Sequence, residues 1–502
     1  MSNIALISLY DVENNGIRSI SSLLKQNGFN TYLIFFKRWA NNDVRYPSET
    51  EKKLLVSLVE ELEIELLGIS FTSPFLKIAQ DFTARIKFSL DIKVVWGGIH
   101  ATVVPYESLM YCDFVCRGEE EYLMLNLAEA LSKKQPPEGI KNLCYKKNGR
   151  IISEDTRSLI QNLDVLSLQD YGRKNKFFID KELKNIDPLI NARELRVFAS
   201  RGCPFNRSYC YNSIYRALYQ NPRYYRMGSV ERILSEIESG LKSLKKIRKI
   251  KFDDTFVFPE YWVDEFYRKY RQRIGLPFEI LFNVQCLNKN NLKKLKLAGL
   301  KRVQVGIQTG SEKESNQVYN RKLEVDMVKR FAQAAKELNF DVVYDLIFGN
   351  PLSTFEDKKE LIGLLLALPM PFSLFIYSLT VFPGTKLNQI FLEKEIIFPR
   401  DIEGEANKSF YQFRRSFTYP RNKEELFTVA VVSLISKSFI PKAAIKLLAE
   451  SMFLKKHPFL IKLAAQVCNQ PKLIHIGLKM FMQGSLSVWK FKGYGLPKRF
   501  LI

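Results

Sequence analysis

The sequence predicts an α/β fold in two successive parts, a doubly wound parallel sheet followed by a partial barrel of six β/α units, with a helical region after them. Short apolar runs alternate with amphipathic stretches from the N-terminus, and the same alternation restarts after residue 190. Strict alternation of strand and helix is typical of parallel sheets covered by helices. The predicted parts are a first domain at 1–135, a connector at 136–190, the barrel at 191–400 and a basic helical region at 401–502.

The composition is that of a globular protein. Of 502 residues, 46% are apolar, 13% aromatic and 26% charged, which excludes global disorder and collagen-like repeats. The net charge of +23 favours an anionic partner such as nucleic acid, a phosphorylated ligand or an acidic membrane face. The seven cysteines form no dense framework, and the start of the chain lacks the pattern of a secretion signal. We therefore expect a cytoplasmic protein, with membrane association left open.

Five strands and four helices are predicted in the first domain. The strands are IALISLY, NTYLIFF, LLGISF, KVVWGG and DFVCRG, and the helices are IRSISSLLKQ, SETEKKLLVSLVEELE, FLKIAQDFTARIKF and EEYLMLNLAEAL. Ligands of such sheets bind beyond the carboxyl ends of the strands. The candidate binding loops are therefore 11–16, 70–73, 97–102 and 118–121. In the connector, the pattern weakens and predicts only a hairpin around Asn148-Gly149.

Six β/α units of about 30 residues are predicted in the barrel, fewer than the eight of a closed barrel. The strands are ELRVFAS, IRKIKFDD, FEILFNVQ, KRVQVGIQ, DVVYDLIFG and SLFIYSLTV. The stretch from Leu361 to Thr385 has no charge and is long enough to span a membrane. Pro369 and Pro371 interrupt it, which favours a buried helix followed by a buried strand.

The region from Arg421 onward holds 14 basic and 3 acidic residues, so it carries +11 of the net charge. Its apolar stretches LFTVAVVSLISKSFI, AAIKLLAE and FLIKLAAQV have helical spacing. Basic amphipathic helices can lie on anionic lipid. They can also cover an open side of the barrel and leave their lysines in solvent, and we prefer this interpretation.

One loop carries the strongest chemical signal. After the first barrel strand the chain reads SRGCPFNRSYCYN, with Cys203, Cys210 and, just before the second cysteine, Tyr209. This loop resembles that of the radical S-adenosylmethionine (radical SAM) superfamily, whose C-x3-C-x2-C spacing provides three thiolates for a four-iron, four-sulfur (4Fe-4S) cluster. The resemblance implies that Cys203 and Cys210 bind the cluster. The middle position is Arg207, a permanent cation with no lone pair for iron, so another residue or a small molecule would have to supply the third ligand.

Later barrel motifs extend this resemblance and imply a binding site for S-adenosylmethionine. In KFDDTF, Asp253 and Asp254 end the second strand, where relatives approach the methionyl part of the cofactor. After the fourth strand, VQVGIQTGSE places Gln308, Ser311 and Glu312 where relatives hold the ribose and carboxylate. Tyr209 completes the implied set. Cys286, the other cysteine of the barrel, is interpreted as a small buried apolar residue.

The first domain resembles the cobalamin-binding domain joined to this barrel in one subgroup of the superfamily. GISFTSPF, with Ser70 and Thr72, and WGGIHATVVP, with Gly97 and Gly98, match segments that contact cobalamin. Many cobalamin domains carry D-x-H-x-x-G, whose histidine binds cobalt. Glu13 stands at that position here. His100 either contacts the corrin or is a satisfied turn residue.

The resemblance implies a cobalamin-dependent radical SAM enzyme that transfers a methyl group to an unactivated carbon, or rearranges or cyclises its substrate. Whether it is active depends on whether a cluster assembles beside Arg207. A degenerate relative that acts as a cofactor-binding or partner protein is the alternative, and an RNA-modifying enzyme is the third, although its usual accessory modules are not visible. Expected partners are a small-molecule or lipid-like substrate, an electron donor such as flavodoxin or ferredoxin, and a peripheral membrane contact, but not nucleic acid.

Overall fold

A nine-stranded mixed sheet forms the first part of the computed structural model, which describes residues 2–38, 46–398 and 421–468. Along the sheet the strands lie in the order β7-β6-β5-β4-β3-β1-β2-β8-β9. In chain order these strands are β1 (Asn3–Leu9), β2 (Asn30–Phe36), β3 (Leu66–Ser70), β4 (Lys93–Gly97), β5 (Phe114–Cys116), β6 (Leu143–Lys147), β7 (Arg150–Ser153), β8 (Lys176–Asp180) and β9 (Glu182–Lys184). The helices are α1 (Asn15–Gln26), α2 (Glu49–Glu61), α3 (Leu76–Ser89), α4 (Ile99–Val103), α5 (Pro105–Ser108) and α6 (Glu121–Ser132).

Helices cover both faces of this sheet, which confirms the doubly wound prediction. The central strand β1 is apolar on both sides: Ile4 and Leu6 pack in one core with α1 and α6, and Ala5 and Ile7 pack in another with α2 and α3. A strand buried on both faces reads as a continuous apolar run, as IALISL does. The strands β1 to β5 are parallel to one another.

The segment predicted as a connector is part of this sheet. The hairpin forms β6 and β7 with Asn148 and Gly149 both at positive φ, while β8 adds to the opposite edge, parallel to β2. The sequence did not indicate β8 because its segment is held by buried ion pairs, one of which joins residues far apart in the sequence. Arg18 Nη1 lies 2.7 Å from Asp187 Oδ2, and the fully buried Lys176 lies 3.0 Å from Asp170.

Six parallel strands form the partial barrel, in the order β10-β13-β14-β15-β16-β17. Its strands are β10 (Glu194–Val197), β13 (Lys249–Thr255), β14 (Phe278–Phe282), β15 (Leu300–Gln308), β16 (Asp341–Phe348) and β17 (Ser373–Ser378), beside a small antiparallel pair, β11 (Ser200–Arg201) and β12 (Arg226–Met227). The helices are α7 (Asn212–Tyr219), α8 (Val230–Ser243), α9 (Glu260–Arg273), α10 (Lys289–Ala298), α11 (Glu312–Gln317), α12 (Val325–Glu337), α13 (Phe355–Ala367) and α14 (Lys386–Glu393). The six-unit prediction is confirmed.

The inner face of the barrel is polar. Along β10 and β13, charged side chains alternate with the buried apolar ones that pack against the outer helices. Near the amino ends of the strands, Lys249 pairs with Glu194 and with Glu279, and Arg302 lies 2.5 Å from Asp341. These ion pairs connect neighbouring strands in a belt at one end of the barrel, and the carboxyl ends of the strands face the first domain.

Three helices follow the barrel, α15 (Lys423–Ile435), α16 (Lys442–Glu450) and α17 (Met452–Lys456), and residues 458–468 are also helical. In α15 the residues from Phe427 to Ile435 are all buried. Glu425 accepts a hydrogen bond from the Gly349 amide (2.6 Å), and Glu424 pairs with Lys358 of α13. The helix α15 therefore joins the outer helical layer beside α13. Whether these helices also cover an open side of the barrel stays a prediction.

The uncharged stretch from Leu361 to Thr385 contains the end of α13 and all of β17, as predicted. In the ranges that the structure describes, we find no helix with the length and apolar character needed to cross a bilayer.

Candidate functional site

A cavity of about 1150 Å³ lies between the first domain and the carboxyl ends of the barrel strands. Three predicted binding loops of the first domain line it, 11–16, 70–72 and 118–121, together with Gly98. The barrel contributes Arg196, the cysteine-bearing loop and the end of β13. Loops from the two domains therefore share one ligand-sized space.

The cysteine-bearing loop is held firmly in place. Gly202 has a φ of +78°, and a Cβ there would lie 2.3 Å from the Tyr224 carbonyl oxygen, so only glycine is tolerated. Arg216 donates a 2.6 Å hydrogen bond to the Cys203 carbonyl. The Ser208 amide donates to Tyr319 O (3.2 Å), and Ser208 O accepts from the Leu387 amide (2.9 Å). Neighbouring segments thus fix the backbone between the two cysteines.

Cys203, Arg207 and Cys210 all line the cavity. Burial raises the pKa of the Cys210 thiol, and the nearby Arg207 cation partly opposes this increase. The Arg207 guanidinium lies 5.1 Å from the centre of the Phe205 ring. Within residues 2–38, 46–398 and 421–468, no three His, Cys, Asp or Glu side chains lie close enough together to hold a metal ion. The donors present therefore do not match the three-thiolate set of the superfamily.

Cys286 lies in the turn Val284–Cys286 that follows β14, and it is half-buried. Burial raises the pKa of its thiol, while Arg207 lowers it and Cys203 raises it further. The charges of Arg207 and Cys203 therefore affect the Cys286 thiol. Among the described residues, however, Cys286 does not form a metal-binding group with Cys203 and Cys210.

Two of the residues assigned to S-adenosylmethionine lie in the cavity, Asp253 and Asp254. Asp253 is neutralised by Arg196 (3.2 Å) and Lys251 (3.0 Å). Asp254 accepts a hydrogen bond from the Ser200 hydroxyl, its Oδ1 has no partner among the described residues, and burial raises its pKa to about 6. The carboxylate of Asp254 is thus available to a cationic ligand.

The other four residues assigned to S-adenosylmethionine are not among those that line the cavity. Tyr209 accepts a 2.7 Å hydrogen bond from Arg321. The Ser311 hydroxyl caps α11, and Glu312 accepts from the Val325 amide (2.7 Å). Gln308 has a φ of +68°, and its buried Oε1 has no hydrogen-bond partner among the described residues. Ser311 and Glu312 therefore have local structural roles here, whereas Gln308 keeps an unused acceptor.

Four of the residues assigned to cobalamin line the cavity: Glu13, Ser70, Thr72 and Gly98. The backbone of Gly98 has a φ of +87°, and a Cβ there would lie 2.8 Å from Phe71 O. Hydroxyl groups, a glycine without a side chain at the wall and a large cavity suit a bulky polar ligand such as cobalamin.

Gly97 and His100 do not line the cavity. Gly97 leaves room for the Glu120 carboxyl group, because a Cβ there would lie 2.6 Å from Glu120 Oε2. His100 is buried, its Nδ1 lies 3.0 Å from Ser73 Oγ, and burial lowers its pKa to about 4. The structure therefore favours the satisfied-residue interpretation of His100 over contact with a corrin.

Sequence reasoning missed three arginines that connect the barrel to acidic residues of the first domain. Arg196 Nε lies 2.6 Å from Glu13 Oε2, Arg226 Nη2 lies 2.6 Å from Glu119 Oε1, and Arg201 pairs with Glu121. Arg196 alternates with Leu195 and Val197 on β10, and this alternation was the available signal that it faces inward. These interdomain arginine pairs also explain why Glu13 is not a free ligand for a metal.

Glu120 supplies a pH-dependent test of this geometry. Its Oε1 accepts a 2.5 Å hydrogen bond from the Gly98 amide, and burial raises its pKa to about 7. A raised pKa in the folded state means that stability is highest below the ordinary value of 4.5 and falls as the pH rises towards 7. Glu120→Gln keeps the acceptor but removes the charge. Its free energy of unfolding, relative to that of the wild type, should therefore rise by up to about 3 kcal/mol between pH 4.5 and pH 8.

Thermal melting of both proteins at those two pH values measures this gain. Glu60→Gln, on the exposed surface of α2, is the matched control and should show none. An equal melting difference between Glu120→Gln and the wild type at both pH values would show that Glu120 is not buried as described.

The fold and cavity define a two-domain class of cofactor-binding α/β proteins, and comparison with known sequences specifies it. The model of the B12 binding domain matches residues 4–128, and that of the radical SAM superfamily matches residues 197–365. The chain therefore joins a B12-binding domain to a radical SAM domain, the combination that the sequence predicted.

Individual relatives and solved structures are similar to this chain over most of its length. An uncharacterized methyltransferase of Pyrococcus horikoshii is 28% identical over 426 residues, which cover 82% of this chain and 85% of the relative. The radical SAM methyltransferase TsrM of Kitasatospora setae, solved with cobalamin and a [4Fe-4S] cluster, is 14% identical with a TM-score of 0.65, covering 94% of this chain and all of that one. OxsB, a cobalamin-dependent radical SAM enzyme solved with aqua-cobalamin and S-adenosylmethionine, is 14% identical with a TM-score of 0.66, covering 97% and 82%. The two solved structures share the fold of this chain.

Proposed function

We propose that this protein is a methyltransferase that holds cobalamin and S-adenosylmethionine together in the cavity between its two domains. One observation carries the proposal: a single space of about 1150 Å³ is lined both by the loops of the B12-binding part and by the first loop of the barrel. Cobalamin, when bound, supplies a metal centre that can carry a methyl group. The methyltransferase names of two relatives support transfer of a methyl group over rearrangement or cyclisation.

The first domain would bind cobalamin through the loop hydroxyls of Ser70 and Thr72, with Gly98 allowing close approach because it has no side chain. Glu13 would not bind cobalt because Arg196 holds its carboxylate. His100 would not bind it either, because its ring faces Ser73 within the first domain. Neither Glu13 nor His100 would therefore serve as a ligand for cobalt.

The barrel side would bind S-adenosylmethionine through Asp254. This ligand carries a cationic sulfonium and an ammonium group, and a carboxylate with an unused oxygen is a suitable partner for either. With a pKa of about 6, Asp254 is mostly ionised above pH 7. The positive charge of the ligand would further favour ionisation.

A small-molecule methyl acceptor would lie over the inner face of the barrel. Asp345 of β16 accepts hydrogen bonds from Gln304 Nε2 at 2.9 and 3.0 Å, and burial raises its pKa to about 7. This pair gives the inner face a hydrogen-bonding position beyond the cavity. TsrM was solved with tryptophan as its substrate, a molecule of the size that we propose. Any reductive chemistry would draw electrons from a small carrier protein such as flavodoxin or ferredoxin.

Anaerobically purified full-length protein tests the proposal. We expect cobalamin to copurify or to bind on reconstitution. With a low-potential reductant to reduce the cobalamin, S-adenosylmethionine with a deuterated methyl group should pass its label to the bound cobalamin and leave S-adenosylhomocysteine, both detected by mass spectrometry. Asp254→Asn should weaken S-adenosylmethionine binding at least about tenfold, whereas Asp91→Asn, on the exposed surface of the first domain, should not change it. Absence of cobalamin binding, or binding without any label transfer, would overturn the proposal.

A further inference from the structure

The outward side of the C-terminal helices exposes large apolar side chains. We call this the apolar surface and define it by Leu447, Met452, Phe453, Phe459, Leu463 and Val467, which are between 49% and 71% exposed. Isolated exposed apolar residues are common, but six of them within residues 447–467 are characteristic of an interaction site.

The helical residues 458–468 show that this surface is separate from the core. Phe459, Leu463 and Val467 are spaced four residues apart, so they form one outward stripe. Ile461 and Ala465 lie between them in sequence and are buried, at 2% and 0% exposed. This helix therefore has an inner apolar face that supports the fold and an outer apolar face that contributes nothing to it.

The helices of the apolar surface also carry lysines, of which Lys442 donates to the Leu366 and Leu368 carbonyls at the end of α13 and Lys455 lies over the Phe355 ring. Residues 438–468 contain Lys442, Lys446, Lys455, Lys456 and Lys462, and Glu450 is their single acidic residue. Lys446 and Lys456 are exposed, and Lys462 lies over the Phe459 ring with Nζ 6.0 Å from its centre. Apolar side chains flanked by cations suit a partner with an apolar interior and an anionic exterior.

Two other partners could cover the apolar surface, the C-terminal segment of this chain or a second copy, and charge argues against both. Residues 469–502 hold six lysines and arginines and no aspartate or glutamate. A segment of that sign would be repelled by the lysines on the helices of the apolar surface. The surface of a second copy would bring the same lysines against each other.

We propose that the apolar surface binds the anionic face of a phospholipid bilayer. The apolar side chains would enter the boundary between headgroups and acyl chains, and the lysines would contact acidic headgroups, which is the binding mode of interfacial amphipathic helices. This inference is independent of the proposed methyl transfer.

Sedimentation of full-length protein with lipid vesicles tests it. We expect strong binding to phosphatidylcholine vesicles that contain about one quarter phosphatidylglycerol, and at least about tenfold weaker binding to pure phosphatidylcholine. Raising the salt from about 50 to about 500 mM should also weaken binding, because the charges lie at the surface.

Two variants separate the contributions. Replacing Leu447, Phe453 and Leu463 together by glutamine should weaken binding at least about tenfold, whereas Phe88→Gln, which changes a still more exposed apolar side chain of the first domain, should have no effect. Lys446→Glu with Lys456→Glu should weaken binding to anionic vesicles, and Lys53→Glu on α2 is its matched control. Because all these side chains are exposed, the melting temperatures should stay within about 2 °C of the wild type.

Three results would overturn the inference. Equal binding to neutral and anionic vesicles would exclude the role of charge. A dimer that the triple glutamine variant abolishes, without vesicle binding, would assign the surface to a second copy. Vesicle binding only after removal of residues 469–502 would show that this segment covers it.

Discussion

Replacing Arg207 with cysteine is expected to raise the iron content of anaerobically purified protein from below one to about four ions per chain. The variant restores the third thiolate between Cys203 and Cys210 and removes a cation from the cavity wall. The loop should accept it without rearrangement, because the hydrogen bonds of Ser208 and Cys203 already fix the backbone on both sides. Iron and sulfide analysis, with electron paramagnetic resonance of the reduced protein, measures the effect. Reductive cleavage of S-adenosylmethionine should increase in parallel.

Two control variants make this result specific. Arg207→Ser removes the cation without adding a thiolate and should leave the iron content low, whereas an equal gain in both variants would show that the charge, not the missing ligand, prevents loading. Cys286→Ser in the Arg207→Cys background should retain the iron, because Cys286 is not grouped with the two loop cysteines. Failure of Arg207→Cys to bind additional iron would show that the cavity no longer accommodates a cluster.

Replacing Arg226 with methionine is expected to destabilise the folded protein by about 3–5 kcal/mol. The Arg226 side chain is almost fully buried, binds both carboxylate oxygens of Glu119 at 3.1 and 2.6 Å, and donates to the Ile160 carbonyl at 2.9 Å. Its loss leaves the Ile160 carbonyl without this donor and leaves the Glu119 carboxylate with only the more distant Arg201 Nη1, at 3.7 Å, at the junction of the two domains. Thermal and urea unfolding measure the change.

An exposed arginine provides the matched comparison. Arg273 pairs with Glu231 and Glu238 on the surface of α9, and pairs of this kind contribute about 0–1 kcal/mol, so Arg273→Met should have little effect. A double-mutant cycle of Arg226→Met with Glu119→Gln should show a coupling energy of at least about 1 kcal/mol. Additive effects would indicate that the two side chains do not interact in solution.

Most of the strands were predictable, because the faces that a strand buries determine the pattern of apolar residues in its own sequence. The continuous apolar run of β1 and the alternation of charged and apolar residues along β13 each follow from which faces are covered. The strand β8 was not recognised, because its segment is anchored by the Arg18–Asp187 ion pair, whose members lie far apart in the sequence. Local periodicity cannot reveal a pairing of that kind.

The candidate site was predictable where function depends on the order of residues within one loop. The spacing of Cys203 and Cys210 and the loops of the first domain identified the cavity wall. Ser311 and Glu312 could not be separated from ligand-binding residues by sequence, because a helix cap and a ligand contact use the same side chains. The assignments to individual cofactors stay predictions.

The interdomain arginine pairs restrict how this chain can recombine in evolution. In Arg196–Glu13, Arg201–Glu121 and Arg226–Glu119, the barrel supplies the cation and the first domain supplies the anion. A chimera that joined this barrel to another first domain would bring together three arginines and whatever residues occupied the glutamate positions. Unless those positions were also acidic, the hybrid would bury uncompensated charge at its junction. The two domains are therefore exchangeable only as a matched set, and substitutions at these six positions should occur in compensating pairs.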